Sequence, residues 1–268
     1  MVATVTKRFS TDSQRRAKIN MSGYNFFSGV YDALTENVNY SARADYIADL
    51  LAENGITGGI LLDLACGTGT LSIEMAKRGF EVIGVDSSGE MLSVAMNNAY
   101  ESGQNILFLC QPMQQLDLYG TINAAICTLD SINHLTDAED VQAAFDKVSL
   151  FTEPGGIFIF DINTTYKHRE VLADNTFVYD LDDVYCVWQN TLDRETDTVR
   201  IDLDIFEQVE DGIYERMQES FCERAYPLPA IKEMLEKSGF ETVAVYDELT
   251  KNKPHEKSER LFVIARKE

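Results

Sequence analysis

Histidine and the basic residues are scarce in this chain, and each shortage removes a class of function. With only three histidines (His134, His168, His255) and no two cysteines at metal-ligand spacing, no metal site is expected. The five cysteines, Cys66, Cys110, Cys127, Cys186 and Cys222, are odd in number and far apart. Three of them fall inside apolar, strand-like runs, and the set reads as buried free thiols of a reducing compartment, here the cytoplasm. Lys and Arg number 23 against 44 Asp and Glu, a formal net charge of −21. Such a surface repels a phosphate backbone, so no nucleic-acid partner is expected; the same charge also fits a solvated surface with no ligand meaning. No apolar run approaches the roughly 18 to 20 residues of a membrane helix. Residues 1–20 carry five basic residues and one acid but no continuous apolar core. That excludes a secretory signal and leaves a flexible start or an organelle transit peptide. Low-complexity tracts and internal repeats are absent too, which argues against disordered scaffolds and solenoids.

What is present is enough apolar sequence for a full core: 45% of 268 residues, fitting one large domain or one domain with a sizeable insertion. From residue 60 short β-branched runs ("ILLDLA", "FEVIGVD", "NILFLC", "INAAICT", "GIFIFDI") alternate with helix-like stretches near 70–78, 88–101 and 137–151. Continuous apolar strands separated by amphipathic helices imply a doubly wound α/β domain, its mostly parallel sheet covered on both faces. Ser87 or Ser88 is expected to cap the helix "GEMLSVAMNNAYESG", whose Met91, Leu92, Ala95 and Met96 form an apolar stripe. "EPGG" at 153–156 signals a turn before the next strand.

Between residues 164 and 225 the period changes to two, as in "TVRIDLDIFEQV", and "EDG" at 210–212 resembles a hairpin turn. A small antiparallel sheet, inserted into the α/β domain and covering the acceptor site, is expected there. The division is then 1–20 as a flexible start, 21–163 with 226–268 as the cofactor-binding domain, and 164–225 as the insertion. Pro229 and Gly239 bracket a further helix, and two last strands close the chain. The aromatic-rich stretch 24–53 reads as two helices that pack on the sheet or form a lid over the ligand.

The stretch that carries chemistry is "LLDLACGTGTLSIEMAKRGFEVIGVD", residues 61–86. In an open α/β sheet the ligand crevice lies beyond the carboxyl ends of the strands, lined by the first strand-to-helix turn. Gly67 and Gly69 let a ligand approach the backbone there, and Asp86, ending the next strand, suits the hydroxyls of a ribose. A dinucleotide site would share these features. Two residues argue against a pyrophosphate: Ser72 stands where a third glycine would, and Asp63 points a carboxylate into the turn, repelling phosphate and pairing with ammonium. The ligand expected is a nucleoside bearing positive charge.

S-adenosylmethionine has that composition, and here the chain resembles the class I S-adenosylmethionine-dependent methyltransferases, bacterial small-molecule branch. The resemblance runs through "YDALTENVNY", "LLDLACGTGTLS", "EVIGVDSSGEMLSVA", "CTLDSINHL", "EPGGIFIFDIN", "CERAY" and "SERLFVIARK". It implies a Rossmann-like sheet of seven strands and a methyl transfer from S-adenosylmethionine that yields S-adenosylhomocysteine. It further implies that Asp63, Ala65, Gly67 and Gly69 hold the methionine part, with Asp63 nearest the ammonium. Asp86 would take the ribose, and Ser87 with Met91 would flank the adenine. Where the family often has an acid, this chain has Pro112 in "QPM", so Gln111 or the amide of Met113 is left to meet the adenine. Leu129, Asp130 and Ser131 match the segment that reaches both methionine and substrate. Tyr24, Tyr31 and Arg43 match positions closing over the cofactor, where arginine pairs with the methionine carboxylate; the other reading of Arg43 is a surface helix arginine.

Methyl transfer is an in-line displacement in which the protein aligns the nucleophile and excludes water. The acceptor is expected to be a small molecule methylated at N or O. Candidate catalytic residues are Asp130 and His134, with Asp161 and His168 as further bases; His134 and His168 fit structural hydrogen bonds equally. A tRNA-modifying methyltransferase, a non-catalytic cofactor-binding protein and a nicotinamide oxidoreductase are the competing functions. The oligomeric state has no signal in the sequence.

Overall fold

The computed structural model describes residues 38–181 and 183–268. The expectations for residues 1–20, for the first helix of 24–53, and for Tyr24 and Tyr31 lie outside the described residues. Helix α1 (Tyr40–Glu53) leads into an alternation of strands and helices: β1 (Gly59–Leu64), α2 (Thr70–Lys77), β2 (Phe80–Asp86), α3 (Gly89–Glu101), β3 (Leu107–Cys110) and β4 (Ile122–Cys127). Then follow α4 (Ala138–Phe151), β5 (Thr152–Asn163), β6 (Thr176–Asp180), β7 (Val184–Asp193), β8 (Thr198–Glu210) and β9 (Ile213–Arg224). The chain closes with α5 (Leu228–Lys237), β10 (Phe240–Asp247) and β11 (Arg260–Lys267).

Seven strands form one sheet in the order β10-β11-β5-β4-β1-β2-β3. The strands β1 to β5 run parallel, and β11 lies antiparallel between β5 and β10. The apolar runs are continuous because both faces are covered. On one face Leu62, Leu64, Cys127 and Phe160 pack against Phe145 and Val148 of α4 and Ile231 and Leu235 of α5. On the other Leu61, Val82, Ile126 and Phe262 pack against Ala44, Ile47 and Leu51 of α1 and Met75 of α2. The chain leaves β1 toward β2 and β3, then returns to the other side with β4 and β5. Strand order therefore reverses between β1 and β4, where an α/β sheet opens its ligand crevice.

The expected antiparallel insertion is a separate four-stranded sheet, order β6-β7-β8-β9, between β5 and α5. Residues Val199, Ile201, Leu203 and Ile205 alternate inward from β8 and build its own small core with Val184 and Cys186. The Asp211-Gly212 turn joins β8 to β9, with Gly212 at φ +73°.

Three local expectations change. Met96 is 54% exposed, because the buried stripe of α3 runs instead through Leu92, Ala95 and Ala99. Of the cysteines, Cys127 and Cys186 are buried, whereas Cys110 is exposed at the end of the edge strand β3 and Cys222 on the outward parity of β9. "EPGG" is not a turn outside the strand: it is a bulge inside β5, where the register against β4 shifts and Gly155 takes φ +81°.

Candidate active site

The turn after β1 and the turn after β4 face each other across a cleft at the reversal point, lined by Asp63, Ala65, Gly67, Thr128, Leu129 and Ser131, with Tyr40 of α1 beside them. The turn after β1 is left-handed at Ala65 (φ +61°), Gly67 (φ +54°) and Gly69 (φ +77°). The two glycines serve different ends. A Cβ on Gly67 would meet nothing within 4 Å, so that backbone is open to a ligand; one on Gly69 would come within 2.9 Å of Ala95 Cβ. Gly69 is therefore required by the packing of α2, whose N-cap it forms, on α3.

Asp63, 2% exposed, is the penultimate residue of β1, lines this cleft and accepts a 2.5 Å hydrogen bond from the Ser72 hydroxyl. The residue that breaks a dinucleotide fingerprint is thus the partner of the acid. Burial, and secondarily the charge of Asp86, push the Asp63 carboxyl up to about 7 against the Ser72 bond. A carboxyl held this way regains its charge when a cation arrives, so the cleft fits an ammonium. Asp86, at the end of β2, accepts from the amides of Gly67 (2.9 Å) and Ser88 (2.8 Å), which fixes its carboxylate at the rim of the same turn. Burial raises the thiols of Cys66 and Cys127, with nearby carboxylates adding to it, so neither is a thiolate nucleophile.

Ser88, not Ser87, caps α3, accepting from Met91 N at 3.2 Å; Ser87 is exposed and Met91 half-buried. The Gln111 side chain is bonded to the backbone of Asp117, accepting from its N–H (2.8 Å) and donating to its carbonyl (3.2 Å). It shapes a loop, and the half-buried Met113 opens a short 3₁₀ turn after it.

After β4, Leu129 and Asp130 are both left-handed, at φ +57° and +53°. Two such non-glycine residues in succession are strained. Asp161 stabilises them: fully buried, it accepts from both amides, at 2.9 and 2.8 Å, and from Arg43 (3.0 Å) and Arg260 (2.5 Å). Expected as a base, Asp161 is instead the anchor of the turn, its lone pairs occupied by internal donors. Arg43 is not a surface arginine: it is 4% exposed, bound to Asp161 and, at 3.2 Å, to Glu248.

Asp130 turns its carboxylate toward Arg260 (2.9 Å) and the Asn163 amide (2.7 Å). Burial would raise it, but Arg260 and then Lys167 outweigh that and hold it well below the usual carboxylate range. It remains an anion and accepts no proton near neutrality. His134 ends the 3₁₀ turn Ser131–His134; its ring lies 5.1 Å from that of Phe221 and its Nε2 3.7 Å from Glu223 Oε1. Its side chain is 46% exposed; partial desolvation pushes it down, with Asp130 and Asp86 opposing, which favours the neutral imidazole. His168 is fully buried, with Nδ1 2.9 Å from the Asp197 carbonyl.

Glu223, Arg260, Asn133 and Asn163 were given no role by the sequence, although "CERAY" and "SERLFVIARK" contain two of them. A charge directly before an apolar strand, as in Arg260-Leu261, was the available signal. Glu223 shares the inward face of its sheet with Val199, its partner across the β8–β9 ladder, and that register is invisible in sequence.

Residues 61–156 match the family described as methyltransferase domain. The provisionally named methyltransferase YqeM of Bacillus subtilis (strain 168) is 37% identical over 246 residues, 91% of this chain and 97% of its own length. A crystal structure of an S-adenosylmethionine-dependent methyltransferase from Clostridium acetobutylicum ATCC 824 matches with TM-score 0.85 at 32% identity, covering 91% of this chain and 98% of that one. CalS10, an amino pentose methyltransferase of Micromonospora echinaspora solved with S-adenosylmethionine bound, shares the fold at TM-score 0.69 and 15% identity, over 98% and 100% of the two chains.

Proposed function

This chain belongs to the class I S-adenosylmethionine-dependent methyltransferases, and we propose that it methylates a small molecule at nitrogen or oxygen. S-adenosylmethionine, when bound, supplies a methyl group activated on a sulfonium. Asp63 would hold its ammonium, Asp86 its ribose hydroxyls, and the open backbone from Ala65 to Gly67 with Leu129 the methionine portion. Ser87, Met91 and Met113 would flank the adenine. The left-handed turn at Leu129 and Asp130, pinned by Asp161, would present backbone and Ser131 to the acceptor.

The observation that carries the small-molecule reading is the meeting of the two sheets. Phe221 and Glu223 of β9 close on His134, one turn beyond the cleft residue Ser131. The insertion would then form one wall of the acceptor site, which supports a small acceptor over a polymer. The amino pentose methyltransferase CalS10 and the sugar N-methyltransferase KedS8 of Streptoalloteichus sp ATCC 53650, neighbours in fold, are compatible with such an acceptor.

Incubation with methyl-labelled S-adenosylmethionine and a fractionated bacterial extract tests this reading. Label is expected in the low-molecular-weight fraction, and label confined to RNA or protein overturns it. At the cofactor, Asp86→Ala is expected to lose about 2–3 kcal/mol of S-adenosylhomocysteine binding, roughly 30- to 150-fold by calorimetry, with the fold intact.

A further inference from the structure

Where the two sheets meet, one carboxylate is left without a cation among the described residues. Asp130 and Asp161 face Arg260 at 2.9 and 2.5 Å, and Asp161 also faces Arg43 at 3.0 Å. Glu248 lies 3.2 and 3.3 Å from the same two guanidinium groups. Lys167, donating to Asn163 Oδ1 at 3.0 Å, adds the third cation to balance those three acids. Glu223, 4% exposed, is the fourth acid. Its neighbours are the Asn163 amide at 3.2 Å, His134 Nε2 at 3.7 Å and His168 Nε2 at 3.8 Å.

Neither imidazole supplies the missing charge, since burial pushes both below their ordinary value. His168 Nδ1 faces a carbonyl, which only accepts, so Nδ1 carries the proton and Nε2 is an acceptor. That buried Nε2 has no hydrogen-bond partner among the described residues, and it lies 3.8 Å from Glu223 Oε2. Burial and then Asp130 push the Glu223 carboxyl up to about 8, against Asn163, Lys167 and Arg260. Glu223 is thus held protonated between two neutral imidazoles, and a positive charge arriving nearby ionises it.

His134 is placed to report that arrival. Side chains three apart eclipse in a 3₁₀ turn, which sets His134 over the cleft residue Ser131. Asn133 clamps the turn, donating to the carbonyls of Asn163 (3.3 Å) and Arg224 (2.8 Å) and accepting from Asn163 N (2.9 Å).

We propose that the acceptor is an amine that enters as an ammonium ion, and that Glu223, working through His134, takes its proton. The proposal rests on the small-molecule methyltransferase reading and narrows it. On entry the ammonium supplies the missing positive charge, and the resting proton of Glu223 leaves to solvent. The ammonium nitrogen then gives a proton to His134 Nδ1 while His134 Nε2 passes its own to the Glu223 carboxylate, leaving a neutral amine. The amine lone pair forms the C–N bond as the C–S bond breaks and its electrons go to sulfur, so the positive charge moves to the product nitrogen. Asp130 stays anionic throughout beside Arg260. Glu223 is a positioning and proton-holding residue, since it reaches the substrate through His134.

The test has two arms, both on the full chain saturated with S-adenosylhomocysteine or supplied with labelled S-adenosylmethionine. Carbon NMR of labelled histidines, assigned with His134→Gln and His168→Gln, should show the His134 signal bending near pH 8 as Glu223 ionises. Glu223→Gln should abolish that bend. A His134 signal that titrates identically in both proteins overturns the pair. In the second arm benzylamine, glucosamine and 1,4-diaminobutane are offered beside benzyl alcohol, glucose and 1,4-butanediol. Methyl transfer is expected to the amines alone, with kcat/KM rising toward pH 8, about 100-fold or more slower in Glu223→Gln and partly restored in Glu223→Asp. Transfer to the alcohols, transfer to none of the amines, or full activity in Glu223→Gln overturns the proposal. Failure of the wild type to bind S-adenosylhomocysteine would strike the cofactor reading instead.

Discussion

In the proposed site, Asp63 would couple the cleft to its ligand through a single proton. Its folded-state carboxyl sits near 7, raised from 3.8 chiefly by burial. The native chain therefore keeps a proton that the unfolded chain releases, and stability falls as pH rises from about 4 to about 7. Asp63→Asn removes this titration. The ligand-free variant is expected to gain up to about 4 kcal/mol over wild type above pH 7, and to lose that gain near pH 4, in denaturant unfolding at both pH values. The same proton is visible in binding. At pH 7 about half of Asp63 is protonated, so the ammonium of S-adenosylhomocysteine should expel roughly half a proton per site. Calorimetry in two buffers of different ionisation enthalpy reads this directly. Equal heats in both buffers would show that Asp63 does not meet the ammonium.

At the scale of elements, the 3₁₀ turn Ser131–His134 owes its place to Asn133 more than to its own bonds. Asn133 is fully buried and satisfies groups on β5 and β9, tying the first sheet to the insertion. Asn133→Leu keeps the volume and leaves those backbone groups unsatisfied, at a cost of about 3 kcal/mol. Denaturant midpoints check this, and a loss below about 1 kcal/mol would mean that the junction is held by packing instead. Such long-range clamps explain which parts of the molecule were legible beforehand. The strands β1 to β5 and their helices follow from local apolar runs and caps, and the acid–glycine–acid turn from spacing alone. The roles of Asp161 and Arg43 did not: their sequence separation of 118 residues hides the bond that makes one an anchor and the other its counter-ion. Met96 misled for the opposite reason. A helix stripe two residues wide was extended by one position, and the sheet beneath α3 decides which edge is covered.

For the whole molecule, the deciding quantity is how its charge is arranged, because that separates a small acceptor from a polymeric one. The chain carries 44 acids against 23 Lys and Arg, and many of those cations already sit on carboxylates. Arg43 and Arg260 are buried against Asp161; Arg78 meets Asp45 and Glu74, Arg216 meets Asp204, and Arg200 meets Asp202. A phosphate backbone needs a row of unpaired cations, whose counter-ion release gives polymer binding its steep salt dependence. Pairing and excess acid both work against such a row here, and low ionic strength strengthens the repulsion, since screening falls as salt is removed. Filter binding of bulk tRNA should therefore show no retention at low salt, the condition most favourable to nonspecific nucleic-acid binding. Retention that collapses as salt is added would reveal a basic track and move the acceptor from a small molecule to RNA. With the acidic surface intact, an amine substrate is drawn in by the same field that keeps a polyanion out, and its association rate should fall as salt rises.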